Sequence, residues 1–355
     1  MPTLSRSTLF GLLLASLLCP SAAPAGATPP KHLQPPIEDG PFLVPAPGDA
    51  SEPVWGIKGG IAVGLWPTSG PRGLIRVYTP YLGQARLRVM NFVAVEPIVG
   101  GARGLSELER SDLDRVDGKA MWTGDAREAN PRPREPWRPA CGTIRAVGDA
   151  GAKELSFFVF VEPFLNGARP AVQVVLRDDR PHEVAFRAFA SEGGSPMRAC
   201  ILTATMGNYA RLRKLWLDGR VIDAATEYRD APADAWGFAP HRHWGLGTMR
   251  VGRGEAIVAA TPDEPDPASA QYARDVAPWW HYEGRPATQY WKAPAGRDLV
   301  ARVNARTTYW ASKAPIPGGV AFENFELEAP FAPGQEFRFG ITPARPEALG
   351  FKAGP

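Results

Sequence analysis

The sequence predicts an all-β protein, an antiparallel β-sandwich with few short helices, and three observations carry that prediction. Gly (37 residues) and Pro (38 residues) interrupt the 355-residue chain every few positions and leave little room for long helices. Between these breaks lie short runs rich in Val, Ile, Phe and Tyr, bounded by Gly, Pro or Asp clusters, which is how strands read. Strand-like runs do not alternate with amphipathic helices, so the sheets should be antiparallel. With 44% hydrophobic and 22% charged residues the chain has a core to bury, which excludes a disordered chain, a collagen-like rod and a polytopic membrane protein.

Taken in order, residues 1–27 read as an export signal: Arg6, an apolar run from Leu9 to Leu18, then small residues ending in Ala25-Gly26-Ala27. That run falls short of the ~20 apolar residues a bilayer span needs, so no membrane span is expected and the location should be periplasmic or extracellular. Residues 28–53 hold eight prolines and read as an extended arm; 54–355 read as a single large β-sandwich domain. Strands are predicted over 61–66, 74–81, 87–99, 155–165, 172–176, 184–189 and 199–206. A second series covers 244–251, 256–260, 279–282, 288–291, 299–303, 307–310, 320–327 and 337–341. Segments 124–140 and 262–278 are polar and Pro-rich and read as long loops over the domain. Two helices are candidates, 104–114 and 208–218, the second with Asn208 as its cap and Leu212, Leu215 and Trp216 on one side.

Charge and motifs remove several function classes. The formal charge is +3 and the basic residues are scattered, so no nucleic-acid partner is expected. Of the 40 basic residues most are Arg, which reflects either coding bias or recognition of carboxylate or sulfate by forked guanidinium groups. No G-x-S-x-G elbow, Walker loop or strand-coupled G-x-G-x-x-G occurs, so neither a serine hydrolase of that type nor a nucleotide cofactor is expected. Beyond the signal only Cys141 and Cys200 remain; one disulfide and two free thiols are both open.

One internal repeat carries chemistry. Phe92-Val-Ala-Val-Glu96-Pro-Ile-Val-Gly-Gly-Ala-Arg103 recurs 66 residues later as Phe158-Val-Phe-Val-Glu162-Pro-Phe-Leu-Asn-Gly-Ala-Arg169, with eight of twelve positions identical. Period-two alternation puts each glutamate among apolar neighbours, where an ionised carboxylate requires a partner. Arg103 and Arg169 are the predicted partners of Glu96 and Glu162, either as clips that lock strand ends or as groups at a sugar-binding cleft. Glu323 has the same character: it alternates with Ala321, Phe325 and Leu327, while Asn324, Glu326 and Glu328 take the other face. Desolvation there would raise its pKa toward the range of a general acid or base, although a satisfied structural carboxylate is the simpler role.

The C-terminal run Gly319-Val-Ala-Phe-Glu323-Asn, followed by Phe331-Ala-Pro-Gly334-Gln-Glu-Phe-Arg-Phe, resembles the end of the galactose mutarotase-like supersandwich of aldose 1-epimerases and their carbohydrate-active relatives. The similarity covers roughly the last 30 residues. It implies a supersandwich fold, a carbohydrate partner and Glu323 as general base. The family's histidine-acid motif is not recognisable around His182, His241 or His243.

Two further constellations complete the candidate list. If 209–213 is extended, Tyr209, Arg211 and Arg213 share one face; if it is helical, Tyr209 still meets Arg213. His241-Arg-His243 aligns two imidazoles at i, i+2. Tyr or His as proton abstractor and donor, with Arg neutralising a uronate, is what β-elimination from an acidic polysaccharide requires. The same two histidines lack a fixed third ligand, so no metal is expected. Trp279-Trp280-His281-Tyr282 and Tyr290-Trp291 read as an aromatic hairpin, either a platform for sugar rings or an inter-sheet core cluster. The reading is therefore an exported carbohydrate-active protein, epimerase-like or polysaccharide lyase-like, with Glu323, Tyr209, His241 and His243 as catalytic candidates. A non-catalytic glycan-binding module is the alternative.

Overall fold

The computed structural model describes residues 34–48, 53–65, 72–79, 88–127, 138–148, 151–205, 210–231, 234, 237–263, 271–274, 287–309 and 313–352. In chain order the strands begin with β1 (Ile37–Asp39), β2 (Phe42–Val44), β3 (Val54–Ile57), β4 (Ala62–Gly64), β5 (Leu74–Thr79), β6 (Arg88–Val99), β7 (Ala102–Arg103) and β8 (Met121–Gly124). They continue with β9 (Thr143–Val147), β10 (Ala152–Val161), β11 (Pro170–Arg177), β12 (Glu183–Ala190), β13 (Ala199–Thr205), β14 (Leu212–Leu217) and β15 (Arg220–Asp223). A one-turn helix, α1 (Ala224–Glu227), is capped by Asp223 and precedes β16 (Phe238–Gly245) and β17 (Arg250–Gly252). The last strands are β18 (Glu255–Pro262), β19 (Thr288–Pro294), β20 (Val300–Arg306), β21 (Ala321–Glu328) and β22 (Glu336–Thr342).

Among the described residues these strands form two antiparallel sheets of eleven strands each. One runs β1-β2-β3-β4-β5-β6-β13-β21-β20-β16, with β7 on β6; the other runs β15-β14-β18-β19-β22-β12-β11-β10-β8, with β17 on β18 and β9 on β10. Alternation decides which side of each strand is inward. Val93 and Val95 of β6 and Phe157, Val159 and Val161 of β10 enter the shared core, while their neighbours Glu96 and Phe158 point away from it. Trp55 of the first sheet stacks on Phe157 of the second at 4.1 Å. Trp291 of the second donates its indole N–H to the carbonyl of Phe325 in the first at 2.8 Å. The protein is thus an all-β sandwich, and among the described residues no helix is long and apolar enough to cross a membrane.

Several local expectations are corrected. The sheet starts inside the segment read as an extended arm, because Ile37–Asp39 and Phe42–Val44 form a hairpin whose second strand pairs with β3. Segment 208–218 is not helical where described: 212–217 is a strand in which Arg213, Leu215 and Leu217 are buried and alternate with Lys214 and Trp216. Tertiary pairing with β15 and β18 overrides its helical propensity. Segment 104–114 forms single turns, since Ser106, Glu109 and Ser111 spend their side chains on distant or looping backbone and carboxylate groups. Residues 307–309 make an isolated bridge from Thr308 to Pro315 in place of the predicted strand. Cys141 is exposed and Cys200 buried, and both are free; burial pushes the Cys200 thiol up to about 12. The signal segment, residues 128–137 and 264–270 of the two predicted loops, and the 279–282 strand lie outside the described residues.

Candidate functional site

The outer face of the first sheet carries a row of charged side chains across β6, β13, β21, β20 and β16. Glu326 is at its centre and has no solvent exposure. Thr203 donates to it at 2.5 Å, Arg103 reaches both its oxygens at 3.1 and 3.3 Å, and Arg302 and His241 each stand 3.6 Å away. Arg103 also pairs with Glu96, and Arg302 reaches on to Glu328 at 2.8 Å. Register explains the assembly: Arg302 is opposite Glu326, and His243 is opposite Arg302. A buried carboxylate without such partners would cost several kcal/mol.

Beside this row lies a cleft of about 590 Å³, lined by Glu96, Arg103 and His241 of the row together with Glu107, Asn304 and Glu323. Apolar groups, Leu105, Leu108, Phe238 and Pro240, form the rest of its wall. Glu323 arrives there through a β-bulge. Phe322 pairs with Ala305 and Phe325 with Val303, so Glu323 and Asn324 together oppose Asn304, whose side-chain Oδ1 accepts from the Asn324 backbone N–H at 2.9 Å. The extra residue breaks the strict alternation read from sequence. Phe322 takes the core position, and Glu323 lines the same cleft as Asn324. Arg306, also buried, stands 3.9 Å from Glu323 with its guanidinium 4.6 Å over the Phe238 ring.

The cleft shifts its titratable groups apart. Burial lifts Glu96 to about 7 although Arg103 opposes the rise, and the nearby Glu326 adds to it. Burial likewise raises Glu107 to about 7 against the pull of Arg306. His241 drops to about 4, first through burial, with Arg302, Arg103 and His243 adding to the fall and Glu326 opposing it. Its imidazole is therefore neutral at pH 7, and its Nε2 makes no hydrogen bond among the described residues. A neutral imidazole and buried carboxyls in one cleft are groups able to give and take protons near neutrality.

The expected site residues divide into those gathered here and those placed elsewhere. Glu96, Arg103, Glu323 and His241 line the cleft; His243 is exposed beside it on β16. Tyr209, Trp279, Trp280, His281 and Tyr282 lie outside the described residues. Arg211 and Arg213 are buried and turned to the backbone: Arg211 donates to Gln271, and Arg213 to Val320, Pro317 and Gly319 at 2.6–3.2 Å, as well as pairing with Asp263. Tyr290 and Trp291 are buried, with the Tyr290 hydroxyl donating to Glu183 at 3.0 Å, so these two rings belong to core packing and not to an open platform. The expected Glu162–Arg169 pair is not formed. Glu162 accepts from Ser111 Oγ and from the backbone N–H groups of Asp112 and Ala120 at 2.6–2.7 Å, with the fully buried Lys119 at 3.7 Å, and Arg169 is exposed.

Sequence reasoning missed Glu107, Thr203, Arg302, Asn304, Arg306 and Glu326 as members of the site. Glu326 sat in the quoted motif but was assigned to the face opposite Glu323, and Glu107 fell inside the expected helix. Among the described residues no group of three or more His, Cys, Asp or Glu side chains is arranged to hold a metal ion. No protein-family model matches the chain, and no curated protein matches it.

Proposed function

We propose that this is an exported carbohydrate-active protein that binds a saccharide in the outer-face cleft and processes it by acid–base chemistry, in the manner of an epimerase or a polysaccharide lyase. The observation that carries the reading is that Glu323 and His241, separated by more than 80 positions in sequence, line one cleft of about 590 Å³. That volume falls in the range of small-ligand sites. Leu105, Leu108, Phe238 and Pro240 offer apolar surface to the C–H faces of a sugar ring, and Asn304 and Asn324 offer amides to its hydroxyls.

In this reading Glu323 is the base that removes a proton from the bound sugar. Glu96 or Glu107, each raised to about 7, supplies a proton to the atom that gains charge, and neutral His241 hydrogen-bonds to the substrate beside them. The supersandwich resemblance supports the same choice of base, and the two-sheet architecture agrees with it at the level of fold class. Export rests on the amino-terminal pattern of Arg6, the 9–18 apolar run and Ala25-Gly26-Ala27.

The test is a screen of the purified protein against neutral and uronate-containing poly- and oligosaccharides, following reducing ends, absorbance of unsaturated products, anomer equilibration by polarimetry, and binding. Glu323→Gln is expected to lower turnover of a substrate so found by ~10²-fold or more while leaving its binding within a few-fold. Full activity in that variant would remove Glu323 as base. Binding without turnover in the parent protein would favour the non-catalytic module, and absence of any saccharide binding would end the carbohydrate reading.

A further inference from the structure

The charge of the cleft bears on which sugars enter it, an inference that rests on the glycan reading above. Acting on a uronate requires a cation that can be turned toward the substrate carboxylate. Among the described residues every arginine near the site is already engaged. Arg103, the one arginine in the lining, is shared between Glu96 and Glu326. Arg302 is divided between Glu326 and Glu328, and Arg306 faces Glu323. Arg211 and Arg213 are held by the carbonyls of Gln271, Pro317, Gly319 and Val320. Arg76 of β5 is over the ring of Phe92 on the neighbouring β6 and is not part of the lining.

Against these engaged cations the lining presents four acidic side chains: Asp234 and Glu323, together with Glu96 and Glu107, which burial raises to about 7 and which are therefore partly ionised near neutrality. His241 adds no positive charge at pH 7. A substrate carboxylate would therefore lose hydration and meet like charge, with each guanidinium near the site, among the described residues, already turned to another group. Sugar hydroxyls meet the opposite situation, since carboxylates accept from O–H groups and the Asn304 and Asn324 amides can both donate and accept. An ammonium group on the ring would gain more again from the surplus of negative charge.

We infer that the cleft selects saccharides that carry no carboxylate, favouring amino sugars over neutral sugars and both over uronates. Its acidic lining and carboxylate-paired arginines make it a filter against the anionic glycans that the arginine-rich composition brings to mind. Epimerase-like or hydrolytic work on neutral or amino sugars then fits the cleft better than β-elimination.

The test is calorimetric titration of the purified full chain with hexamers of glucosamine, glucose and galacturonate at one near-neutral pH, in low salt and again in high salt. The expected order is glucosamine, then glucose, then galacturonate, with at least a tenfold gap between first and last that narrows in high salt. Glu107→Gln, which removes one partly ionised acidic group and its pull on Arg306 while leaving the Arg103 pairs in place, is expected to narrow the gap about threefold. Galacturonate binding most tightly, or all three binding alike, would overturn the filter and leave the glycan reading standing. Failure of all three, together with failure of the broader saccharide screen, would overturn the glycan reading and the filter with it.

Discussion

The two repeat units, Phe92–Arg103 and Phe158–Arg169, start from nearly the same residues and finish in different chemistry. In the first, Glu96 and Arg103 pair as their spacing suggests, then join Glu326 and Thr203 at the edge of a cleft. In the second, the glutamate turns to Ser111, Asp112, Ala120 and Lys119 and pins the 105–119 segment, and the arginine is left at the surface. The pinned segment carries Leu105, Glu107 and Leu108 into the same cleft, so one unit supplies the wall and the other anchors the rim. The lesson is that a buried carboxylate takes whichever partners the fold brings to it. A motif specifies the need for a partner without specifying which one.

The largest break in this comparison should come from Glu162→Ala. It removes the acceptor of three hydrogen bonds and one of the carboxylates around the fully buried Lys119 ammonium. A loss of ~3–5 kcal/mol in urea unfolding is expected, with faster amide exchange across 105–119. Next come the two arginines. Arg103→Met leaves Glu96 and Glu326 facing each other and should cost ~2–3 kcal/mol, less than the first variant because Arg103 is a quarter exposed. Arg169→Ala, at the equivalent position of the other unit, should stay within ~0.5 kcal/mol. Equal effects at 103 and 169 would show that both arginines serve as clips after all.

A pH signature sharpens the comparison from the side of the first unit. Glu96 is raised from an ordinary 4.5 to about 7, so between those values the folded state holds a proton that the unfolded state has released. Stability then falls as pH rises through this window. Glu96→Gln removes the titration, so its stability relative to the parent should improve by ~1–3 kcal/mol from pH 4.5 to 7 and level off above. His241 has the opposite sign. With a folded value near 4 against an ordinary 6.5, it makes the parent lose stability as pH falls from 6.5 toward 4. His241→Asn should therefore improve relative to the parent on acidification. Thermal melts of the three proteins across pH 4–8 read both slopes.

Legibility followed the range of the interactions. Most strands of both sheets were readable from punctuated β-branched and aromatic runs, because period-two burial leaves its mark on each strand separately. The errors fell where another part of the chain decides. Segment 212–217 carries Leu, Lys and Trp in an order compatible with a helix and becomes a strand because β15 and β18 pair with it. The aromatic pair Tyr290-Trp291 reads equally well as platform or core, and only tertiary packing resolves it: Trp291 meets the opposing sheet, donating to Phe325, while Tyr290 is buried on the other face against Ile257, Ala259 and Phe351.

The site divides in the same way. Residue chemistry alone marked Glu96, Glu162 and Glu323 as carboxylates that would be buried and need partners, and all three are buried; the same seven-residue span that pairs Glu96 with Arg103 leaves Glu162 and Arg169 apart. Tertiary structure alone decided that a bulge opposite Asn304 turns Glu323 into the cleft, that Glu326 becomes the hub of the charged row, and that His241 loses its charge. The reason is physical. Alternation and burial are local consequences of the pleat, whereas the partners and desolvation that set a carboxyl's role come from strands distant in sequence and are fixed only when the sheets close.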